Sequence, residues 1–457
     1  MKKGLLLSVV ASTMIMAGGD IAPAPVVVEE TFPQWDFSGQ AVVYYQTLDS
    51  FGTGDLFNQG PTGGKSLGNG GLQLNAVGKF DYGLSAGASL VGLGTIGLDQ
   101  DVVSQVMQSA DGYLNGGAVT QLWGAWGNES TTFKAGRQEL PKSLSPFAWS
   151  EGWNVFKNTY GAALLVNTSI SNTTLVGAWV NDANQNGIGA ANAAGAPGWL
   201  GIALLHGGIS NLNDFNRVNG DDGIFMATVQ NKSIDGLTLT GSWYYGANFG
   251  ENMLGVAGGS DVNILWGDAT YADPDMYGLV AGIQGGTIMQ DDLPADTTAF
   301  GAKIGGSWDV FAFGAAFSSV DDGTTGVFNV GGVKTPLYTQ MILNQAFIAR
   351  DADSVVLHAS AKALGGKFIV KYGMTTQNNR LLNQATDTYG DRDYAELDLV
   401  YKTKVWNDSI ALFAGYINQD VDALTVNVTD PDTGAVTQVT GPNDPNNVVR
   451  FWARYNF

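Results

Sequence analysis

The sequence is dominated by a repeated segment of about ten residues in which apolar and polar side chains alternate. In one such segment, Leu72 and Leu74 fall on one face and Gln73 falls on the opposite face. A period of two is the pattern of a β-strand with one apolar face. We count 18 of these segments between Trp35 and Phe457, with 16 as the alternative count, and predict an all-β fold.

The connections between the segments alternate between short and long. Short turns occur at residues 81–83 and 406–407, whereas residues 47–71 and 321–353 form long connections. Short turns at the periplasmic rim and long loops at the extracellular rim are typical of a barrel that spans an outer membrane. A spanning sheet must close on itself, because lipid offers no partner to an open edge. A ring of this size is too wide for side chains to fill, so we predict a transmembrane antiparallel β-barrel around an aqueous channel.

The composition agrees with a wall that faces lipid on one side. Charged residues make up 14% of the chain, against roughly 25% in soluble proteins. Outside the N-terminus the sequence has no apolar run long enough for a spanning helix. Cysteine is absent, and the only histidines, His206 and His358, have no paired spacing, so we predict no metal site and no cofactor. The net charge of −20 argues against a nucleic-acid partner.

The N-terminus has the composition of an export signal, with a basic start followed by an apolar run and small residues. We predict that residues 1–19 are a signal peptide, cleaved after Ala17 or Gly19. Residues 20–34 are Pro-rich and show no alternation, so we predict an extended periplasmic lead-in. Residues 35–457 then form a single barrel domain in the outer membrane.

Charged residues within the alternating segments provide an independent check on the barrel. A Lys or Arg that faces lipid at the centre of the membrane costs roughly 2–4 kcal/mol, whereas one that faces a wet lumen costs little. Lys303, for example, falls on the face opposite Phe300 and Ile304. The charges that we predict to face the lumen are Lys303, Lys362, Lys371, Glu396, Asp398, Lys402, Arg450 and Arg454.

The last ten residues form a strand pattern that ends at an aromatic residue. Phe451, Tyr455 and Phe457 fall on one face, and Arg450 and Arg454 fall on the other. An aromatic-ended terminal strand resembles the closing strand of bacterial outer-membrane β-barrels. This resemblance implies that the three aromatic residues form a closing signal and that the barrel-assembly machinery is a partner.

The third long connection, at about residues 138–158, is irregular and rich in Pro, Ser and Trp. Its prolines, Pro141 and Pro146, break a regular strand. Opposed charges in such a segment create a transverse field that sorts solutes by charge, if the segment lies in the channel. The alternative is that the charges bridge the folded loop to the barrel wall, and the sequence leaves both interpretations open. The candidates for a pore constriction are Arg137, Glu139, Lys142 and Glu151.

Residues 134–140 (KAGRQEL) and 158–162 (NTYGA) resemble the corresponding block of the Opr-type porins, which include major outer-membrane proteins of epsilonproteobacteria. Residues 17–23 and 334–340 are similar to the same group. The resemblance implies a third loop that folds inward and passive diffusion of small hydrophilic solutes, and it leaves a homotrimer open. Gly161 departs from the family pattern, in which an acidic residue often follows the aromatic one.

Two opposite indications bear on the solutes. The Lys and Arg residues of the later segments suit carboxylates, whereas acidic loops, such as residues 420–422, raise the local cation concentration. We expect a mild preference for cations. The alternative function is an adhesin or surface-layer protein that acts through its long loops. A hydrolase would need a nucleophile beside His358, and Ser360 alone does not make a catalytic site, so we predict no enzyme. The expected partners are outer-membrane lipid, lipopolysaccharide and small hydrophilic solutes.

Overall fold

The computed structural model describes residues 33–49, 55–59, 66–110, 115–184, 210–249, 261–291, 295–383, 388–422, 425–429, 436–440 and 446–457. In this part of the chain, 18 long strands form one antiparallel sheet, which confirms the predicted strand count. The predicted signal peptide and nearly all of the predicted lead-in lie outside the described residues.

The strands are numbered along the chain. They are β1 Gln34–Asp49, β2 Ser66–Lys79, β3 Leu84–Gly94, β4 Asn115–Gly127, β5 Thr131–Gln138, β6 Tyr160–Asn167, β7 Thr173–Asn184, β8 Ile224–Asn231, β9 Leu237–Gly246, β10 Val262–Asp273, β11 Leu279–Gln290, β12 Thr297–Trp308, β13 Phe311–Val320, β14 Ala352–Ala363, β15 Gly366–Asn383, β16 Thr388–Val405, β17 Ile410–Val421 and β18 Asn446–Asn456.

The sheet closes on itself because its first and last strands pair. β1 is hydrogen-bonded to β2 on one side and to β18 on the other, in antiparallel register from Gln40 opposite Asn456 to Asp49 opposite Asn447. Beyond this ladder, the Phe457 carbonyl accepts a hydrogen bond of 2.8 Å from the Gly39 N–H. Among the described strands, no long edge is therefore left unpaired, as a sheet in lipid requires.

The wall has two different faces. On β12, the outward side chains of Phe300, Ile304 and Trp308 are 49%, 60% and 70% exposed. Lys303 lies between them in sequence and points to the inside, where its ammonium is 4.1 Å from the centre of the Tyr338 ring. An exposed apolar surface that surrounds the molecule matches a hydrocarbon environment.

The strand boundaries differ most from the sequence prediction at β15 and β16. The alternation predicts strands at residues 367–377 and 394–405, but each strand is 18 residues long and the hairpin extends much further. The added part follows register shifts after Gln377. Its sequence carries no amphipathic signal that would have indicated pairing.

Helix is scarce among the described residues. The sequence suggests a helical turn over residues 338–346, but the helix in this region is α1, Gln345–Ile348. The earlier part of that segment instead forms turns. The described residues include no helix that is long and apolar enough to cross a membrane.

The hydrophobic core lies inside the barrel, between the wall and two long connections. We call residues 139–159, between β5 and β6, the first inner loop. We call residues 321–351, between β13 and β14, the second inner loop. Phe147 of the first loop and Leu337 and Ile348 of the second are at most 1% exposed. These side chains belong to one cluster that also includes the inner faces of β6 to β12.

Candidate functional site

The first inner loop crosses the lumen. Near its start, the ring of Phe147 packs at 5.6 Å against Tyr244 of β9. Further along, the carbonyl of Asn154 accepts a hydrogen bond of 2.8 Å from the Arg454 guanidinium of β18. Because β9 and β18 stand nine strands apart in an 18-stranded ring, these two contacts lie on opposite walls.

The second inner loop crosses the lumen beside the first. The Tyr338 hydroxyl donates to the carboxylate of Asp268 on β10. On the other side of the barrel, Leu343 packs in a buried cluster with Leu48 of β1 and Val448 of β18. The two loops therefore cross the lumen side by side and narrow it.

Glu151 joins the two loops. Its carboxylate accepts hydrogen bonds from the backbone N–H groups of Val333 at 3.0 Å and Lys334 at 2.8 Å. It also accepts from the side chains of Asn329 at 2.8 Å and Trp153 at 2.7 Å. The residue is 2% exposed. The structure thus places this candidate constriction residue at a buried contact between loops, without a free carboxylate in the channel.

Gly332 permits the close approach of Glu151 to the second inner loop. A Cβ atom on this glycine would lie 2.0 Å from Glu151 Oε1 and 2.2 Å from the amide nitrogen of Asn329. The preceding Gly331 has a φ of +72°, in the left-handed region that favours glycine. The Gly-Gly pair therefore lets the backbone fold around a carboxylate.

Glu396 on β16 fixes a second part of the same loop. One of its carboxylate oxygens accepts hydrogen bonds of 3.0 Å from the backbone N–H groups of both Ile342 and Leu343. The other oxygen accepts from the hydroxyl of Tyr394 and from Gln419. Glu396 is fully buried, at 0% exposure. The sequence predicts a charge facing the lumen here, and the structure places that charge beneath the second inner loop.

Lys334 lies between the two glutamates in the chain and in space. Its ammonium donates to the carbonyls of Met341 at 2.9 Å and Ile342 at 2.6 Å. It therefore links the two parts of the loop that the glutamates contact. Burial lowers the pKa of Lys334 to about 8, although the nearby charge of Glu151 acts in the opposite direction. The ammonium is therefore charged at neutral pH and neutral in mildly alkaline solution.

The guanidinium of Arg137 is occupied by protein acceptors. It donates to the hydroxyl of Thr159 at 2.8 Å and to the carbonyls of Val119 at 2.8 Å and Leu212 at 2.7 Å. The ring of Phe215 covers it at 4.2 Å. Arg137 thus joins the end of β5 to neighbouring segments and offers little to a passing solute.

The other two candidates for the constriction remain open to water. Glu139 forms an ion pair with Lys157 at 2.7 Å, and both side chains are about one-third exposed. Lys142 is exposed, and its ammonium lies 3.3 Å from the Thr335 carbonyl and 4.7 Å from the centre of the Trp149 ring. Among the four predicted residues, Lys142 therefore combines an accessible charge with a contact to the second inner loop.

Lysines form a basic patch on the inner wall near the short turns. Lys362, Lys367 and Lys402 stand directly opposite one another on β14, β15 and β16. Lys371 lies further from the short turns on β15, where it is opposite His358 of β14 on one side and Asp398 of β16 on the other. Among the described residues none of these lysines forms an ion pair. Lys367 is not among the predicted lumen charges because it lies at the start of β15, although its alternation with Phe368 indicates the inner face.

The remaining predicted lumen charges are partly or fully covered. Asp398 is 1% exposed, and within the described part of the chain neither of its oxygens has a hydrogen-bond partner. Arg450 is 4% exposed and donates to Gln46 at 2.8 Å. Arg454 donates to Gln40 at 3.1 Å, in addition to its contact with the first inner loop. Both arginines therefore connect β18 with neighbouring parts of the barrel.

The predicted closing aromatics lie on the outside of the wall. Phe451, Tyr455 and Phe457 are 42%, 42% and 52% exposed. The rings of Tyr455 and Phe457 lie 5.7 Å apart at the short-turn rim. The described residues contain no group of three His, Cys, Asp or Glu side chains arranged to hold a metal ion.

The fold is that of known outer-membrane porins. No protein-family model and no curated protein matches the sequence. Among solved structures, OpdQ of Pseudomonas aeruginosa has 14% identity and a TM-score of 0.65, with 93% of this chain and 98% of that chain covered. OccK8 (OprE) of the same organism has 11% identity, the same TM-score and the same coverage. OccAB2 of Acinetobacter baumannii has 12% identity and a TM-score of 0.63, with 92% and 98% covered. At these identities, the likeness shows the barrel fold.

Proposed function

We propose that this chain is an outer-membrane porin that lets small hydrophilic solutes and ions diffuse passively through a water-filled channel. The observation that supports this most directly is the closed wall of 18 strands, apolar outside and carrying charges inside. Solved structures with the same fold are outer-membrane porins of Pseudomonas and Acinetobacter. A protein that acts only through its surface loops has no need of a charged inner wall.

The route for solutes passes the accessible charges beside the two inner loops. Lys142 and Lys303 supply positive charge near the loops, and Lys371 and the row from Lys362 to Lys402 continue it toward the short turns. This inner surface suits small organic acids, and one solved structure of the same fold, OccK2 (OpdF), is a complex with glucuronate. The acidic outer loops act in the opposite direction, because they raise the concentration of cations outside the channel. We therefore propose a mild preference for cations among simple salts.

The finer expectations from the sequence belong to this proposal. We propose a kinship with the major outer-membrane proteins of epsilonproteobacteria, a signal peptide over residues 1–19 and a lead-in over residues 20–34. We also propose that the barrel-assembly machinery inserts the protein into a membrane of lipid and lipopolysaccharide. We further propose that the protein assembles into homotrimers and has no enzymatic activity. Among the solute-facing charges, Glu139 and Lys142 are the two that we propose to act directly in the constriction.

Liposome swelling tests this function. Purified protein in liposomes should let small sugars and small organic acids enter, at rates that fall steeply with solute size. The organic acids should enter faster than uncharged solutes of equal size, because the inner wall is basic. Liposomes that contain folded protein and do not swell with any small solute would favour the adhesin.

A further inference from the structure

The second inner loop is fixed by two buried carboxylates that lie in different parts of the molecule. Glu151 accepts the N–H groups of residues 333 and 334, and Glu396 accepts those of residues 342 and 343. Each carboxylate thus binds two consecutive backbone donors of the same loop. We call this arrangement the glutamate clamp.

The clamp is strong enough to decide where the loop lies. Hydrogen bonds from N–H groups to an ionised carboxylate are roughly twice as strong as those between neutral groups. Both carboxylates are at most 2% exposed, so loss of the loop would leave them unsatisfied. A loop that moved away would also leave four of its own N–H groups without these acceptors.

The clamp is not required by the barrel itself. The strand ladder of β16 is formed by backbone groups, and the side chain of Glu396 points inward from it. Glu151 lies in the first inner loop, outside every strand. Removing either carboxylate therefore weakens the attachment of the loop while the wall keeps its hydrogen bonds.

We propose that Glu396 and Glu151 are positioning residues that hold the second inner loop across the lumen and thereby set the aperture of the channel. This inference rests on the proposed porin function. The part of the loop between the two glutamates contains Tyr338, which contacts both Asp268 and Lys303 on the opposite wall. If one of the two attachments is lost, Tyr338 can move away from the wall, and the channel becomes wider.

Asp398 provides a matched control within the same strand. It lies two residues from Glu396 on the same face of β16, and it is also buried and acidic. Within the described part of the chain it accepts no hydrogen bond, from the loop or elsewhere. Glu396→Gln replaces the ionised acceptor of two loop N–H groups by a weaker, neutral one, whereas Asp398→Asn changes a neighbouring buried acid without removing a hydrogen bond from the loop.

The test compares Glu396→Gln, Glu151→Gln and Asp398→Asn with the wild-type protein. Each full-length protein is purified, checked for a heat-resistant folded band and measured in a planar bilayer at high salt. We expect Glu396→Gln and Glu151→Gln to raise the single-channel conductance by about 1.5-fold or more and to add open-channel noise, because a wider and less fixed constriction passes more ions. We expect Asp398→Asn to keep the wild-type conductance.

Two results would overturn the clamp. One is an unchanged conductance in both glutamate variants. The other is an equal change in Glu396→Gln and Asp398→Asn, which would mean that the hydrogen bonds to the loop do not set the conductance. If Glu396→Gln does not fold, Glu151→Gln decides the question, because it lies outside the wall. A silent wild-type protein would instead refute the porin function itself.

Discussion

At the scale of single residues, alternation along a strand indicates which face a side chain occupies but not what covers it. Lys303 and Glu396 have the same sequence signal, and both point inward. Lys303 contacts an aromatic ring and stays partly accessible, whereas Glu396 is sealed beneath a loop. The difference depends on residues more than 50 positions away, such as Ile342, and no local pattern records such contacts.

The small size of Gly332 matters for the attachment of the second inner loop to Glu151. In Gly332→Ala, the new Cβ meets the Glu151 carboxylate, and the bonds to that end of the loop are lost. Loss of hydrogen bonds to a charged group costs about 1.5–3 kcal/mol, which opens the loop roughly 10 to 100 times more often. We expect trypsin to cut after Lys334 faster by a similar factor in the folded protein.

Gly124→Ala is the control for this variant. Its Cβ would meet no atom within 4 Å, so we expect trypsin to cut it as slowly as the wild type. If trypsin cut after Lys334 at the same rate in Gly332→Ala and in the wild type, the contact with Glu151 would not be what fixes the loop.

Lys334 gives the loop a pH dependence with a defined sign. Its pKa is about 8 in the folded protein, below the ordinary value of 10.5. Between these values the unfolded chain binds the proton and the folded chain does not, so the free energy of unfolding contributed by Lys334 rises with pH. Below pH 8 the contribution is constant. We expect unfolding experiments to show this rise between pH 8 and 10.5 in the wild type but not in Lys334→Met.

The comparison of the two proteins isolates the contribution of Lys334 from those of the other ionisable groups. A parallel pH dependence in wild type and Lys334→Met would show that the ammonium is not shielded from water as the structure indicates.

At the scale of elements, the strands were predictable because each one must separate lipid from the lumen along its whole length. The two-residue period persists wherever that requirement applies, and all 18 predicted strands occur. It fails at the outer part of β15 and β16, where the hairpin continues beyond the predicted ends. The inward path of the second inner loop was not predictable, since its apolar residues follow no period and its anchors are distant in sequence.

The terminal strand β18 carries the closure of the barrel. Phe457 is hydrogen-bonded to Gly39 through both its N–H and its carbonyl, and its ring packs near Tyr455. Deletion of Phe457 removes these contacts at the seam between β1 and β18. We expect less folded, heat-resistant barrel in the membrane fraction, with unchanged synthesis. Phe457→Tyr, which keeps an aromatic end, should assemble normally, and normal assembly of the deletion would contradict a closing role.

At the scale of the whole molecule, the proposed function depends on the wall and on the two loops inside it. The wall is apolar on the outside, charged on the inside and closed between β1 and β18, and two loops narrow the lumen without being part of the wall. We expect such a molecule to conduct ions without a ligand, an energy source or a conformational trigger, because a barrel of 18 strands is too wide for side chains to fill.

Single-channel recording of the purified wild-type protein in a planar lipid bilayer tests this most directly. We predict discrete upward steps of current on insertion, in plain salt solution, with a conductance that is proportional to the voltage at low voltages. A protein that inserts as a folded, heat-resistant barrel and leaves the bilayer silent would contradict the account.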